Sequence, residues 1–92
     1  MTTICLNGED FHNISALHKS LKTKLAFPDY YGENLDALWD CLTTDITLPV
    51  SVCWLNFSKS LEYLGAYATS ILDLLIDVSN YHGDAFKFTY SY

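Results

Sequence analysis

The hydrophobic rhythm of the chain changes near residue 13. Before it, Thr3 to Asn7 is a short run, apolar in its middle, that stops at Asn7-Gly8, a pair that favours a tight turn. This predicts a first strand. From Ile14 onward, Leu17, Leu21 and Leu25 return at helical intervals, with Lys19, Lys22 and Lys24 on other faces or near the C-terminal end, where the helix dipole favours cations. Asn13 or Ser15 is the expected cap. Pro28 ends this helix, because the residue before a proline is pushed out of helical geometry.

Asp29-Tyr30-Tyr31-Gly32 then reads as a loop, with Gly32 free to take a positive φ. A second helix begins at Asn34, a good N-cap, and places Leu35, Leu38, Trp39 and Leu42 on one arc. A loop closing at Pro49 leads to Val50 to Leu55, rich in β-formers and read as strand two. Ala85 to Tyr90 alternates Phe86, Phe88 and Tyr90 with smaller or polar residues, which predicts a third strand with one face covered. Between them lie a helical piece over Ser58 to Leu64, a break at Gly65, and an amphipathic helix from Tyr67 to Asn80. The order is β-α-α-β-α-α-β. Strands separated by helical crossovers imply an α/β fold: a three-stranded parallel sheet with helices packed on it. The pattern leaves the identity of the central strand open. At 92 residues the chain has room for one core, so residues 1–92 are expected to form a single domain.

Composition narrows the functions available. Eleven acids stand against five lysines, arginine is absent, and the net charge is −6. Direct binding of nucleic acid is disfavoured, since phosphate recognition depends on Lys and Arg clusters. The charge is uneven. Residues 25–58 hold Asp29, Glu33, Asp36, Asp40 and Asp45 without one lysine, a distribution suited to a cationic partner. The most apolar segment, Ile71 to Val78, is interrupted by Asp73 and Asp77, so no membrane segment is expected and a cytoplasmic location is. Cys5, Cys41 and Cys53 match neither a disulfide framework nor a C-x-x-C motif, and they are expected to be reduced, buried thiols. No metal site or cofactor is predicted.

On a wheel of about 100° per residue, Thr43, Asp36 and Asp40 follow directly beside Trp39 on the second helix. Asp36 and Asp40 therefore form an exposed acidic stripe. Like charges four residues apart cost a helix about 0.2 to 0.5 kcal/mol, and no lysine on this helix offsets them. Asp36 lies in the first turn, where the dipole alone favours an acid. Asp40 lies past it, leaving either a solvated surface acid or a binding residue. The last helix repeats the pattern with Asp73 and Asp77, a pair that on its own reads as a solvated face. Of the two adjacent tyrosines, Tyr30 and Tyr31, one is expected to cover the helix junction and one to offer a recognition surface.

The run Tyr30-Tyr31-Gly32-Glu33-Asn34-Leu35-Asp36-Ala37-Leu38-Trp39-Asp40-Cys41-Leu42-Thr43 closely resembles the signature of the barstar family, intracellular inhibitors of a ribonuclease. Weaker similarity spans nearly the whole chain, through Asn7-Gly8-Glu9, Leu17-His18, Pro28, Pro49, Trp54 and Phe57. The resemblance implies a barstar-like fold and an inhibitory surface over residues 30–43. It makes Asp40 the anion that occupies the nuclease's phosphate site, with Asp36 beside it, Tyr30 over the catalytic groove and Asn34 assisting. Asp77 matches an acidic contact position in the last helix. Two departures stand out: the family's best-known member has glycine and tryptophan where this chain has Thr44 and Asp45, and its second cysteine, near the start of the last strand, is missing here.

Three functions are compatible with the residues: an inhibitor or immunity protein that plugs a basic nuclease site, a regulatory module docking another basic protein, and an enzyme using Asp36 and Asp40 as a carboxylate pair or metal site. The last is disfavoured because adjacent turns of one exposed helix enclose no pocket, and His12, His18 and His82 are scattered. The sequence is read as a non-enzymatic antitoxin that binds a basic ribonuclease toxin as a 1:1 heterodimer. Its contact residues are expected to be Tyr30, Asn34, Asp36, Trp39, Asp40, Thr43, Thr44, Asp45 and Asp77.

Overall fold

The computed structural model describes residues 2–92. Three strands, β1 (Thr2–Asn7), β2 (Val50–Leu55) and β3 (Phe86–Tyr90), form one parallel sheet in the order β1-β2-β3. The central strand is thus β2. Four helices connect them: α1 (Ile14–Leu25) and α2 (Leu35–Asp40) in the first crossover, α3 (Phe57–Leu64) and α4 (Ala66–His82) in the second. A π-helical turn, Cys41–Asp45, continues α2, and a short 3-10 turn, Gly83–Ala85, precedes β3.

Alternation along the strands decides where the core lies. Leu6, Val50, Val52, Trp54 and Phe86 are buried on one side of the sheet, where Leu17, Leu21, Leu38, Ile71, Leu75 and Val78 of the helices meet them. Burying each such aliphatic side chain contributes about 1.5 to 3 kcal/mol. Trp54 is wholly enclosed, with Phe57 edge-on at 4.9 Å and its indole Nε1 donating to Ser60 Oγ at 3.0 Å, so its one polar atom is satisfied. The opposite side carries Thr3, Cys5, Ser51, Cys53, Lys87 and Thr89, none of them buried. Parallel sheets are usually covered on both faces. This one has helices on one.

The end of the first strand is fixed by a close approach. Gly8 N donates to Leu55 O at 2.8 Å, and a Cβ on Gly8 would collide with the backbone carbonyl of Asn56. Asn56 is left-handed at φ 55, and its side-chain amide donates to Asn7 Oδ1 at 2.9 Å, tying the ends of β1 and β2 together.

Asn13, not Ser15, caps α1, accepting from Ala16 N at 2.8 Å. Gly32 does not take a positive φ; the left-handed residue of that loop is Glu33, at φ 54. Two other expectations need correction. The second helix does not continue as an α-helix through Leu42, because its spiral widens into the π turn at Cys41. The cysteines are not all reduced and buried. Parallel pairing sets Cys5 directly opposite Cys53, with Cα atoms 4.7 Å apart, and the two are joined as a disulfide on the open face of the sheet. Cys41 alone remains a buried free thiol.

Candidate functional site

The acidic face begins at a loop held from beneath. Tyr31 turns inward and is 5% exposed, while its neighbour Tyr30 is 77% exposed. Under the loop, His18 has no solvent exposure, and its ring stands between two phenols, Nδ1 2.5 Å from Tyr31 Oη and Nε2 2.7 Å from Tyr67 Oη. A neutral imidazole has one donor and one acceptor, so it can satisfy both hydroxyls at once. Burial lowers the pKa of His18, opposed in part by the charge of Glu33. Burial likewise pushes the phenol of Tyr31 up.

From this support the chain enters α2. Asn34 caps the helix, its Oδ1 accepting from Ala37 N at 2.8 Å while its Nδ2 donates to Gly32 O at 3.3 Å. Gly32 lies in close quarters with its neighbours, since a Cβ there would come within 3.3 Å of both Ala37 Cβ and Asn34 Nδ2. Asp36 and Asp40 are exposed, four residues apart on α2. Beside the start of the helix, Asn34, Leu35, Asp36 and Tyr67 line a shallow open depression.

Past Asp40 the π turn reshapes the surface. Thr43 Oγ1 donates to Trp39 O at 2.8 Å, and Thr44 Oγ1 donates to Asp40 O at 2.5 Å, so both hydroxyls tie the turn back to the last residues of α2. His82 Nε2 donates to Leu42 O at 2.6 Å and ties the end of α4 to this turn. Asp45 reaches back to the loop, where its carboxylate accepts from Tyr30 Oη at 3.2 Å. The nearby charge of Asp45, followed by that hydrogen bond, raises the pKa of the exposed Tyr30 phenol. Burial, and then the same carboxylate, push the Cys41 thiol up.

The residues singled out in the sequence divide into three groups. Tyr30, Asn34, Asp36, Asp40, Thr44 and Asp45 are exposed on α2, its π turn and the preceding loop. Trp39 and Thr43 are half-buried, and Trp39 packs edge-on against Tyr81 of α4 at 5.7 Å. Asp77 is exposed on α4, one turn before Tyr81, which places it on the helix face that leads to Trp39. His18, Tyr67, Tyr81 and His82 were not identified from the sequence. Only Tyr81 carried a signal, its four-residue spacing from Asp77. The three histidines do not converge: His12 stacks on Tyr63 at 4.2 Å, His18 is enclosed and His82 braces the π turn. Among the described residues, no three His, Cys, Asp or Glu side chains are grouped to hold a metal ion, and no helix is long and apolar enough to cross a membrane.

A family model described as "Barstar (barnase inhibitor)" matches residues 1–92. A protein of Bacillus subtilis (strain 168) bearing the name "Putative ribonuclease inhibitor YrdF" is 48% identical over 87 residues, covering 95% of this chain and 96% of the relative. With a parallel β1-β2-β3 sheet, an acid-faced second helix and a match that runs from the first residue to the last, the chain belongs to the barstar family.

Proposed function

We propose that the protein is an intracellular inhibitor of a ribonuclease toxin, acting as an antitoxin or immunity protein in the cytoplasm and blocking the toxin's basic active site in a 1:1 complex. The observation that carries this reading is the exposed pair Asp36 and Asp40 on α2, presented beside an exposed Tyr30, in a stretch of 34 residues, 25–58, without a lysine. The family's description as barnase inhibitor and the relative's name supply the class of partner.

Asp40 stands in for a phosphate of the RNA backbone, and Asp36 extends the negative field toward the helix start. Charge-assisted hydrogen bonds from arginine or lysine to these carboxylates are shorter and stronger than neutral ones. Tyr30 contributes a broad, rigid contact surface. Asn34, Trp39 and Thr43 shape the helix under the acids, and Asp77 adds a flanking charge from α4. Thr44 and Asp45 form the rim that discriminates among nucleases, because specificity is a difference of affinities. No group in this arrangement is assigned a catalytic role.

The test is titration of ribonuclease toxins from the same organism with the chain and its Asp40→Ala variant. Stoichiometric inhibition by the native chain, lost in the variant, supports the reading. Full inhibition by the variant overturns the placement of the site, and absence of inhibition by the native chain overturns the function. Changing Thr44 to Gly together with Asp45 to Trp should shift preference toward barnase.

A further inference from the structure

The open face of the sheet carries chemistry that the acidic surface does not use. Parallel register places Cys5 on β1 opposite Cys53 on β2, and neither strand has a helix over that side. Cys5 is exposed and Cys53 half-buried, whereas Cys41 is 3% exposed and packed behind α2. Ser51 and Thr89 flank the pair on the same open face, so small molecules reach it from solvent without displacing a helix. We propose that Cys5 and Cys53 form a reversible thiol–disulfide site, oxidised by low-molecular-weight disulfides and reopened by the corresponding thiols.

The exchange proceeds in two balanced steps. The Cys5 thiolate attacks one sulfur of the small disulfide, the S–S bond of that molecule breaks, and a mixed disulfide forms as one small thiolate leaves. The Cys53 thiolate then attacks the Cys5 sulfur and expels the second small thiol. The protein loses two protons and two electrons, and the oxidant takes them up as two thiols. Strand pairing holds the second thiol in position, so the mixed disulfide is short-lived. Because the bridge closes a loop of sequence separation 48, it restricts the unfolded chain far more than the folded one. In a reducing cytoplasm the site stands open as a dithiol, and it closes when small disulfides accumulate.

Fully reduced chain, incubated over graded ratios of oxidised to reduced glutathione, provides the test. Intact mass should show loss of two hydrogen atoms, peptide mapping should join Cys5 to Cys53 with Cys41 free, and the melting temperature should rise by at least about 5 °C, reversed by excess reduced glutathione. Cys53→Ser should instead stop at a glutathione adduct on Cys5. A wild-type chain that stops at that adduct, bridges through Cys41, or fails to react overturns the proposal. So does a bridged form that melts no higher than the reduced one. None of these readouts involves a nuclease, so they stand apart from the inhibitor reading.

Discussion

Helices α2 and α4 both carry acids four residues apart, and they hold them by different means. In α4, seventeen residues long, Ala68, Ile71, Leu72, Leu75 and Val78 anchor one side in the core, and Asp73 and Asp77 ride on the other. A helix so anchored tolerates like charges at a cost of a few tenths of a kcal/mol. α2 has six residues before it widens, and Leu38 is its single buried side chain. Its shape is supplied from outside: Asn34 caps it, Thr43 and Thr44 take up its carbonyls, His82 reaches it from α4, and the His18–Tyr31–Tyr67 cluster supports the loop that leads in. Repulsion between Asp36 and Asp40 is thus carried on a short segment that other parts of the fold hold in place. Breaks in a local rule of this kind tend to sit at functional sites, which is the ground on which we place the partner here.

The largest effect should come from removing the central acid of the weaker helix. Asp40→Ala is expected to cost about 2 to 5 kcal/mol of nuclease affinity, the usual consequence of truncating one partner of a buried charge pair. Its thermal stability should be unchanged or slightly higher. Asp73→Ala, the matched change on α4, should alter neither quantity. A clear drop in melting temperature for Asp40→Ala would make that acid part of the fold and erase the contrast between the helices.

Salt should separate the two faces kinetically. Association with the nuclease is expected to slow by one to two orders of magnitude, roughly, between low salt and about 0.5 M, while dissociation changes much less. Screening acts over about 10 Å at 0.1 M and less above it. Neutralising both α4 acids should leave most of this dependence in place; neutralising both α2 acids should remove most of it. Stopped-flow rates indifferent to salt would end the electrostatic account.

The sequence carried the element order, the parallel sheet and the Asn34 cap, because each rests on local chemistry: periodicity, proline and a capping side chain. Features set by contacts between distant residues were not readable. A wheel of fixed pitch could not show the π turn at Cys41, where Thr43, Thr44 and His82 bond the carbonyls of Trp39, Asp40 and Leu42. Cys5 and Cys53 look unrelated at a separation of 48 until strand register sets them opposite each other. His18 reads as one of three scattered histidines, since its partners are 13 and 49 residues away.

That histidine makes the support beneath α2 sensitive to acid. Burial holds the folded-state pKa of His18 below the ordinary histidine value of 6.5. Below pH 6.5 the unfolded chain therefore binds a proton that the folded chain refuses, and stability falls as pH drops from 6.5 toward the folded value. The slope from this one group is at most about 1.4 kcal/mol per pH unit. Denaturant unfolding from pH 7.5 to 5.5 should show the loss, and His18→Gln should flatten it, since an amide can still donate and accept but does not titrate. A slope surviving in that variant would assign the effect to other groups. Protection of the amides of residues 29–34 from hydrogen exchange should weaken in acid before that of α4 does.

The smallest effect concerns the bond between Tyr30 and Asp45, which joins the loop to the far end of the π turn. Tyr30 is otherwise free in solvent, so this contact is what restricts the ring before a partner arrives. An exposed hydrogen bond of this kind contributes little to stability, and its removal should leave the melting temperature close to that of the native protein. The consequence should lie in binding, because a side chain already held in place loses less freedom on association. Asp45→Asn keeps the size and the accepting oxygen but removes the charge, while Asp45→Ala removes the contact altogether. Affinity for the nuclease should fall several-fold in Asp45→Ala, because the ring must then be immobilised on binding. In Asp45→Asn the Tyr30 phenol, followed by NMR, should titrate at lower pH than in the native chain, because the carboxylate charge that raises its pKa is gone. If the Tyr30 titration were the same in both proteins, Asp45 would not be holding the ring in solution. Its effect on nuclease choice would then have to come from direct contact with the partner.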